Sequence, residues 1–105
     1  YSTGEGWTPI GTSNQFTATF DGNGYVISNL YINTPSINCV GLFRWCNFAE
    51  IKNVGLENVD VTGDYEVGGL MGRGCDVTIS NSYVTGSVSG TGNVGGLIGY
   101  GYFPY

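Results

Sequence analysis

The sequence predicts an all-β protein of the β-solenoid type, and three observations support this. A glycine-rich apolar phrase recurs every 27 residues, and its opening residues are Val40, Val67 and Val94. The other apolar segments are short, rich in β-branched and aromatic residues, and mostly alternate with a two-residue beat, which is typical of strands. No segment keeps a helical period over about 11 residues, and each glycine would cost a helix roughly 1 kcal/mol. Self-similarity at a fixed period of this size is typical of stacked repeats.

Each repeat unit contains three phrases, and each phrase is predicted to form a strand. The first reads Ile-x-Asn-x-x-apolar and starts at Ile27, Ile51 and Ile79. The second is the short strand "VDVTGD" or "GSVSGT", and the third is the Val-Gly-Gly-Leu phrase. Propeller blades need about 40 residues and four strands, and leucine-rich repeats need a leucine spine that is absent here. One unit therefore predicts one coil with three faces.

Stacked coils place equivalent side chains directly above one another, because neighbouring strands lie about 4.8 Å apart. The sequence predicts three apolar ladders, which are Ile27, Ile51 and Ile79; Val40, Val67 and Val94; and Leu42, Leu70 and Leu97. A polar ladder at a corner is predicted from Asn29, Asn53 and Asn81, since Asn side chains bond backbone groups and one another there. Such a core exists only when the layers stack.

Composition and charge exclude several functions. The chain has 105 residues, of which 41 % are hydrophobic and 10 % are charged, so polar uncharged residues must cover the surface, as in many extracellular proteins. The net charge is −5, and the cations are Arg44, Lys52 and Arg73, too few to neutralise the phosphates of a nucleic acid. No apolar run approaches about 18 residues, so membrane insertion is not expected. The abrupt start at Tyr1 is typical of a processed chain or an excised fragment.

The phrases "VGGLMGRG" and "VGGLIGYG", with "ISNSYVTGSVSG" before the second, resemble the GLUG motif. The stretch "FTATFDGNGYVISNLYIN", residues 16–33, is similar to the segment that commonly precedes such motifs. The resemblance covers residues 7–101 and implies a right-handed parallel β-helix of about three to four coils of ~27 residues. It also implies a secreted or surface-attached, adhesin-like microbial protein. The first copy, "VGLFRW", lacks one glycine, and Arg73 stands where an aromatic residue is more usual.

We expect a single β-solenoid domain over residues 1–105, with the GLUG-like coils in residues 16–101. Residues 1–15 are expected to form an N-terminal cap or lead-in, in which Trp7 and Ile10 cover the bottom layer. Residues 102–105 form an aromatic tail. The candidates for self-association or ligand stacking are Trp45, Tyr100, Tyr102, Phe103 and Tyr105. The tail is interpreted either as a plug over the core or as an adhesive end that packs on another subunit.

No catalytic, metal or cofactor site is predicted. The chain has no His, which removes the commonest general base and most zinc sites. Asp60, Asp64 and Glu66 cluster in one turn, but the adjacent coils lack a matching acidic pair that would serve glycoside hydrolysis. The "DGNG" stretch at residues 21–24 lacks the later acidic ligands of a calcium loop, and an Asx turn explains it better. We therefore expect that the chain is not an enzyme.

The three cysteines predict one disulfide. Cys46 lies five residues before Ile51 and Cys75 lies four residues before Ile79, so the two thiols occupy nearly the same corner of successive coils. Stacked Cα atoms about 5 Å apart are within disulfide range, which predicts a Cys46–Cys75 bond; the alternative is two buried free thiols. Cys39 is then the odd cysteine, interpreted as an intermolecular partner or a buried thiol.

Three functions remain compatible with these features. The first is a non-catalytic extracellular structural or adhesive module, secreted or attached to the cell surface, whose copies stack end to end into a filament. Its partners are further copies of itself, another cell-surface protein or a glycan. The second is a carbohydrate-binding module with Trp45, Tyr65, Tyr83 and Tyr100 as stacking platforms. The third, a fragment of a polysaccharide lyase or hydrolase, is disfavoured by the missing catalytic set.

Overall fold

A computed structural model describes residues 6–11 and 14–102 of the chain. Within these ranges the protein is all-β, and none of the described residues forms a helix, so no helix in them is able to span a bilayer. The strands are β1 (Thr19–Asp21), β2 (Val26–Ser28), β3 (Tyr31–Asn33), β4 (Phe43–Asn47), β5 (Glu50–Lys52), β6 (Gly55–Thr62), β7 (Tyr65–Gly68), β8 (Met71–Cys75), β9 (Thr78–Ser80), β10 (Tyr83–Ser89), β11 (Gly92–Gly95) and β12 (Ile98–Tyr102).

These strands fall into three units, named here the first unit (β1–β4), the second unit (β5–β8) and the third unit (β9–β12). Every ladder between named strands is parallel and joins equivalent places in neighbouring units. β5 lies between β1 and β9, and β8 lies between β4 and β12. β6 pairs with β2 and β3 on one side and with β10 on the other, while β7 pairs with β11. The second unit is therefore covered by a neighbouring unit on both sides.

In the second and third units, the repeated Val-Gly-Gly-Leu phrase forms two strands, which gives four strands per unit rather than the expected three. The Val-Gly-Gly-Leu phrase divides at its glycine pair, so that β7 ends at Gly68 and β8 begins at Met71. The two strands belong to different sheets, because the chain bends between them. The sequence predicts a single strand for this phrase because the bend lies inside an apolar run.

The predicted valine ladder is confirmed. Val67 is the Cα partner of Val94, and an isolated parallel bridge joins Val40 to Val67. The leucine phrase follows in phase, since the backbone N–H of Leu70 donates to the carbonyl oxygen of Leu97 at 3.1 Å. The 27-residue period of the sequence is thus the spacing between layers.

The predicted isoleucine ladder is wrong in the first unit. Ile51 does pair with Ile79, but its partner in the first unit is Phe20 instead of Ile27. Ile27 pairs with Leu56, one strand farther along. The offset between Phe20 and Ile51 is longer than the 27-residue period, and this register places the Phe20 ring against Phe43, with centroids 5.4 Å apart.

The core lies between the four sheets and is densest in the first two units. Its buried residues are all apolar among those described, and the largest fully buried side chains are Phe43, Ile32, Ile51, Leu56, Leu70, Met71, Val40, Val61, Val67 and Cys46. The aliphatic residues of the third unit contact this cluster but remain partly exposed. The layer that faces away from the second unit is therefore the least covered.

The corners between strands also stack, and they use left-handed backbone. Positive φ angles occur at Asn53 and Asn81, which hold equivalent corners, and again at Cys39, Glu66 and Asn93. Asn tolerates this conformation better than most residues because its short polar side chain bonds locally. The Asn residues of the repeat thus serve mainly to form the corners, and their side-chain hydrogen bonds are an additional role.

Candidate functional site

Two predicted stacking residues, Trp45 and Tyr100, form one column with Arg73 on the sheet of β4, β8 and β12. The register places Trp45 opposite Arg73, and Arg73 opposite Tyr100. The neighbouring positions in these strands alternate to the other face, where Cys46 is fully buried. The column is therefore on the outer face of the sheet, and we name it the aromatic–arginine column.

Arg73 lies between the two aromatic rings of this column. Its guanidinium carbon is 5.1 Å from the centroid of the Trp45 ring and 5.2 Å from the centroid of the Tyr100 ring. Both distances are within the range of cation–π attraction, which contributes about 0.5–1 kcal/mol at exposed sites. A planar guanidinium fits between two rings, so Arg73 bridges the two aromatic side chains of the column.

Glu66 neutralises the charge of this arginine. The Nη2 group of Arg73 donates to Oε2 of Glu66 at 3.1 Å, and Nε lies 3.1 Å from Oε1 as an ion pair without hydrogen-bond alignment. The Sγ–H of Cys39 donates to the same Oε1 at 3.1 Å. Burial, and then the bond and charge of Glu66, raise the pKa of Cys39 to about 11, so this thiol is protonated at neutral pH.

The column has the chemistry of a stacking surface. The guanidinium contacts both rings from within the column, and Tyr100 is the more exposed of the two aromatic residues. Tyr100 is 39 % exposed, and a shallow groove is lined by Trp45, Arg73, Gly74, Cys75 and Tyr100. The column contains no free carboxylate to act as acid or base, because Glu66 is already paired.

The other predicted aromatic platforms do not join this column. Tyr83 lies on the sheet of β2, β6 and β10, where its hydroxyl donates to Glu57 at 2.6 Å. Tyr65 lies on the sheet of β7 and β11, opposite Gly92. Tyr102 pairs through its backbone with Cys75, while Phe103 and Tyr105 lie outside the described residues. The four platforms proposed from sequence are thus divided among three sheets.

The predicted Cys46–Cys75 disulfide is wrong: both cysteines, like Cys39, are free thiols. The register places Cys46 opposite Gly74 and Cys75 opposite Asn47. A shift of one residue along a strand turns the side chain to the other face of the sheet, so the two sulfur atoms lie on opposite faces. The loops before Ile51 and Ile79 are equal in length, so the different distances of the two cysteines from these isoleucines, five and four residues, are themselves the one-residue shift. Burial raises the pKa of Cys46 to about 12.

The acidic cluster predicted in one turn is separated in the structure. Glu66 pairs with Arg73, Asp64 accepts a short bond from the Thr91 hydroxyl, and Asp60 is an exposed residue of β6. Across residues 6–11 and 14–102, no group of three His, Cys, Asp or Glu side chains is placed to hold a metal ion. The Thr91–Asp64 bond joins two units, whereas the Arg73–Glu66 pair lies within the second unit.

A polar column runs up the corner after the first strand of each unit. Asn81 Nδ2 donates to Asn53 Oδ1 at 3.3 Å, and Asn53 Nδ2 donates to Asp21 Oδ1 at 3.1 Å. The sequence predicted Asn29 at the lowest place, but Asn29 holds a different corner, and Asp21 takes that place. Bonds from the Asn23 backbone and from Asn53 lower the pKa of Asp21. The repeated Ile-x-Asn phrase did not predict Asp21 at this place, because Asp21 lies outside the copy of the phrase that begins at Ile27.

The two ends of the stack differ. We name the outer side of β9–β12 the third-unit edge; among the described residues each of these strands has a neighbour on one side only. At the opposite, first-unit edge, residues 6–11 and 14–16 lie along β3 and β4. Ile10 forms a parallel bridge to Phe43, and Phe16 forms one to Cys46. Trp7, Ile10 and Phe16 pack against the core there.

Comparison with known proteins gives two relatives and no family. The chain is 39 % identical over 104 aligned residues to halomucin of Haloquadratum walsbyi. This alignment covers 94 % of the chain and 1 % of halomucin. The chain is also 40 % identical over 63 residues to a protein of Evansella cellulosilytica described as a Gly-rich membrane protein, covering 59 % of this chain and 7 % of that protein. The chain thus spans a small fraction of the length of both. No family model and no solved structure matches it.

Proposed function

We propose that this chain is a non-catalytic structural or adhesive module of an extracellular, surface-associated protein, folded as a right-handed parallel β-helix of GLUG-type coils. The observation that supports the proposal is the parallel pairing of Val40 with Val67 and of Val67 with Val94, as expected for three successive layers. Parallel strands joined by a crossover are right-handed in about 98 % of cases, which supports the hand. A stack of layers is a scaffold, because each unit supports only its neighbours.

The use of the polar side chains supports a structural role. Bonds between different units involve Glu66 with Cys39, Asn81 with Asn53, and Tyr83 with Glu57. Groups that are committed to holding layers together are poorly suited to accept and release protons during catalysis. We infer that these polar groups hold neighbouring layers together.

The relatives support a location at the cell surface. One is named halomucin and the other a Gly-rich membrane protein, and the aligned region is a small part of each. A module of this size within a much longer protein fits a repeated or tandem scaffold better than a complete enzyme. The low charge content of 10 % fits the polar, uncharged surfaces common outside cells.

Two experiments test this proposal. Immunogold labelling of intact source cells with antibodies to residues 6–102 is expected to mark the surface, and labelling only after permeabilisation would contradict the location. The purified chain is expected to release no reducing ends or unsaturated products from a panel of polysaccharides. Cleavage that persists after repurification and disappears on heat denaturation would contradict the non-catalytic role.

The aromatic–arginine column favours carbohydrate binding as a second candidate function. The exposed face of Tyr100 next to a guanidinium offers the apolar platform and the polar donor that sugar rings use. Glycan-array binding by the chain, lost in Tyr100→Ala and kept in Tyr25→Ala, is the expected result for this function. Tyr25 is a matched control because it is 74 % exposed and directly precedes β2, outside the sheet of the column. Equal glycan-array signals from Tyr100→Ala and Tyr25→Ala would contradict carbohydrate binding by the column.

A further inference from the structure

We propose that the third-unit edge is the docking surface for a further repeat unit that carries an Asn amide in the polar column and a guanidinium in the aromatic–arginine column. The inference rests on the proposed β-helix and names the partner that its open layer accepts. It also assigns a polarity to stacking, because the first-unit edge of a second copy does not have this chemistry.

The apolar layer at this edge continues an interface that the structure already contains twice. Val40 is 1 % exposed and Val67 is 0 % exposed, since each is covered by the next unit. Val94 holds the same place in the third unit and is 43 % exposed. Leu97 and Ile98 are also only partly buried, whereas Leu70 and Met71 below them are fully covered. The layer is built to be covered by another valine-bearing unit.

The polar column has a direction. Each amide nitrogen donates to the oxygen of the unit below it, from Asn81 to Asn53 and from Asn53 to Asp21. The column therefore presents the carboxamide oxygen of Asn81, an acceptor, at the third-unit edge. An added unit with Asn at this place continues the series by donating to Asn81. A second copy would present Asp21, whose ionised carboxylate is an acceptor only.

The aromatic–arginine column favours the same partner. Its order is ring, guanidinium and ring, and it reaches the third-unit edge with the Tyr100 ring. A guanidinium above Tyr100 repeats the contact that Arg73 makes from below at 5.2 Å. A second copy would place Trp45 there, which brings no charge to the ring.

The first-unit edge is also occupied. The backbone N–H of Ile10 donates to Leu42 at 2.9 Å, and that of Arg44 donates to Ile10 at 2.6 Å. Farther along, Phe16 donates to Trp45 and Asn47 donates to Phe16, each at 3.0 Å. The outer edge of β4 is thus paired with the backbone at Ile10 and Phe16, so β12 of a second copy cannot pair with β4 without displacing these residues.

The test extends the chain by one unit in phase. Phe48 and Asp76 hold equivalent corners, so a second copy of residues 48–75 placed directly after Tyr102, instead of residues 103–105, stacks its copied Asn53 above Asn81 and its copied Arg73 above Tyr100. Compared with the chain ending at Tyr102, we expect the thermal midpoint to rise by about 5 °C or more. We also expect amide exchange of Val94 to slow at least tenfold.

The control carries Asn53→Asp and Arg73→Ala in the appended copy only, which keeps its apolar residues. We expect the thermal midpoint to rise by less than it does with the unaltered copy, because the apolar layer is kept while an amide hydrogen bond and a cation–π contact are lost. An extended chain that is no more stable than the shorter one, or that does not fold, would overturn the inference. So would equal stabilisation by the control, or sedimentation of the unextended chain as concentration-dependent head-to-tail polymers. If the extension fails while Val67 keeps its contacts with Val40 and with Val94, the proposed β-helix stands and only the docking inference is lost.

Discussion

At the scale of single residues, the corners depend on side chains that tolerate left-handed backbone. Most of these places hold Asn or Asp, but Phe48 has a φ of 53° and is 68 % exposed. Its equivalent in the next unit is Asp76, with a φ of 51°. A bulky side chain in this conformation is strained, and its exposure means that little apolar burial offsets the strain.

Phe48→Asn is therefore expected to stabilise the chain by about 0.5–1 kcal/mol, because Asn adopts positive φ at lower cost. Urea denaturation followed by circular dichroism measures the change. Tyr25→Asn serves as the control, since Tyr25 is similarly exposed and is not among the positive-φ residues. A loss of stability in Phe48→Asn larger than in the control would show that the ring at position 48 is needed.

The buried thiols make a prediction about alkaline pH. The pKa of Cys46 is raised by burial from its ordinary value of 9.0 to about 12. A raised pKa in the folded state means that the thiol contribution is fully present below pH 9 and is lost as the pH rises through 12. We expect the free energy of unfolding to fall over this window, and to fall less steeply in Cys46→Ala, measured by urea titration at each pH.

Reactivity of the same thiol gives an independent check. Cys46 is completely buried, so we expect iodoacetamide to label it only when the chain unfolds. Rapid labelling of Cys46 in the folded protein, or equal alkaline slopes for the parent chain and Cys46→Ala, would contradict its placement under the layer.

At the scale of strands, the glycine pair of the repeated phrase decides where the chain bends. A Cβ atom on Gly95 would collide with the carbonyl oxygen of Ile98, whereas one on Gly96 would meet no atom within 4 Å. Position 95 thus has no room for a Cβ atom, whereas position 96 has room for one. Glycine at the first place is required by the close approach of backbone, and glycine at the second place of the third unit is not.

Gly95→Ala is expected to destabilise the chain by about 2–3 kcal/mol, because the backbone must move to relieve the overlap. Gly96→Ala is expected to be neutral or to stabilise by up to about 1 kcal/mol, since it reduces the freedom of the unfolded chain. Chemical denaturation of the two variants side by side measures the difference. Equal effects of the two substitutions would contradict the bend described between β11 and β12.

Strand type and layer spacing were predictable from the sequence, whereas the register of the first unit was not. The periodic phrases fixed the partners of Val67 and Ile51 in the third unit, because the two units are nearly identical in length. The first unit is longer, and the choice between Phe20 and Ile27 as the partner of Ile51 depends on ring packing against Phe43. The Arg73–Glu66 pair was not predictable from the repeat either, because it joins β7 and β8, two strands of different sheets.

At the scale of the whole molecule, stability should fall from the second unit to the third-unit edge. Val67→Ala removes methyl groups from a closed layer and is expected to cost about 2–3 kcal/mol, whereas Val94→Ala is expected to cost less than about 1 kcal/mol. The reason is their exposure, 0 % for Val67 and 43 % for Val94. Urea denaturation of both variants measures this gradient, and equal costs would contradict an open layer above Val94.

The stacking of the three units is tested most directly by methyl contacts in the folded chain. In a valine-labelled sample, nuclear Overhauser spectra should show contacts from Val40 to Val67 and from Val67 to Val94, because these pairs are partners in adjacent layers. Val40 and Val94 should show no direct contact, since two strand spacings, roughly 9–10 Å, separate them. Contacts of Val67 with neither residue, or a direct contact between Val40 and Val94, would contradict the layered architecture.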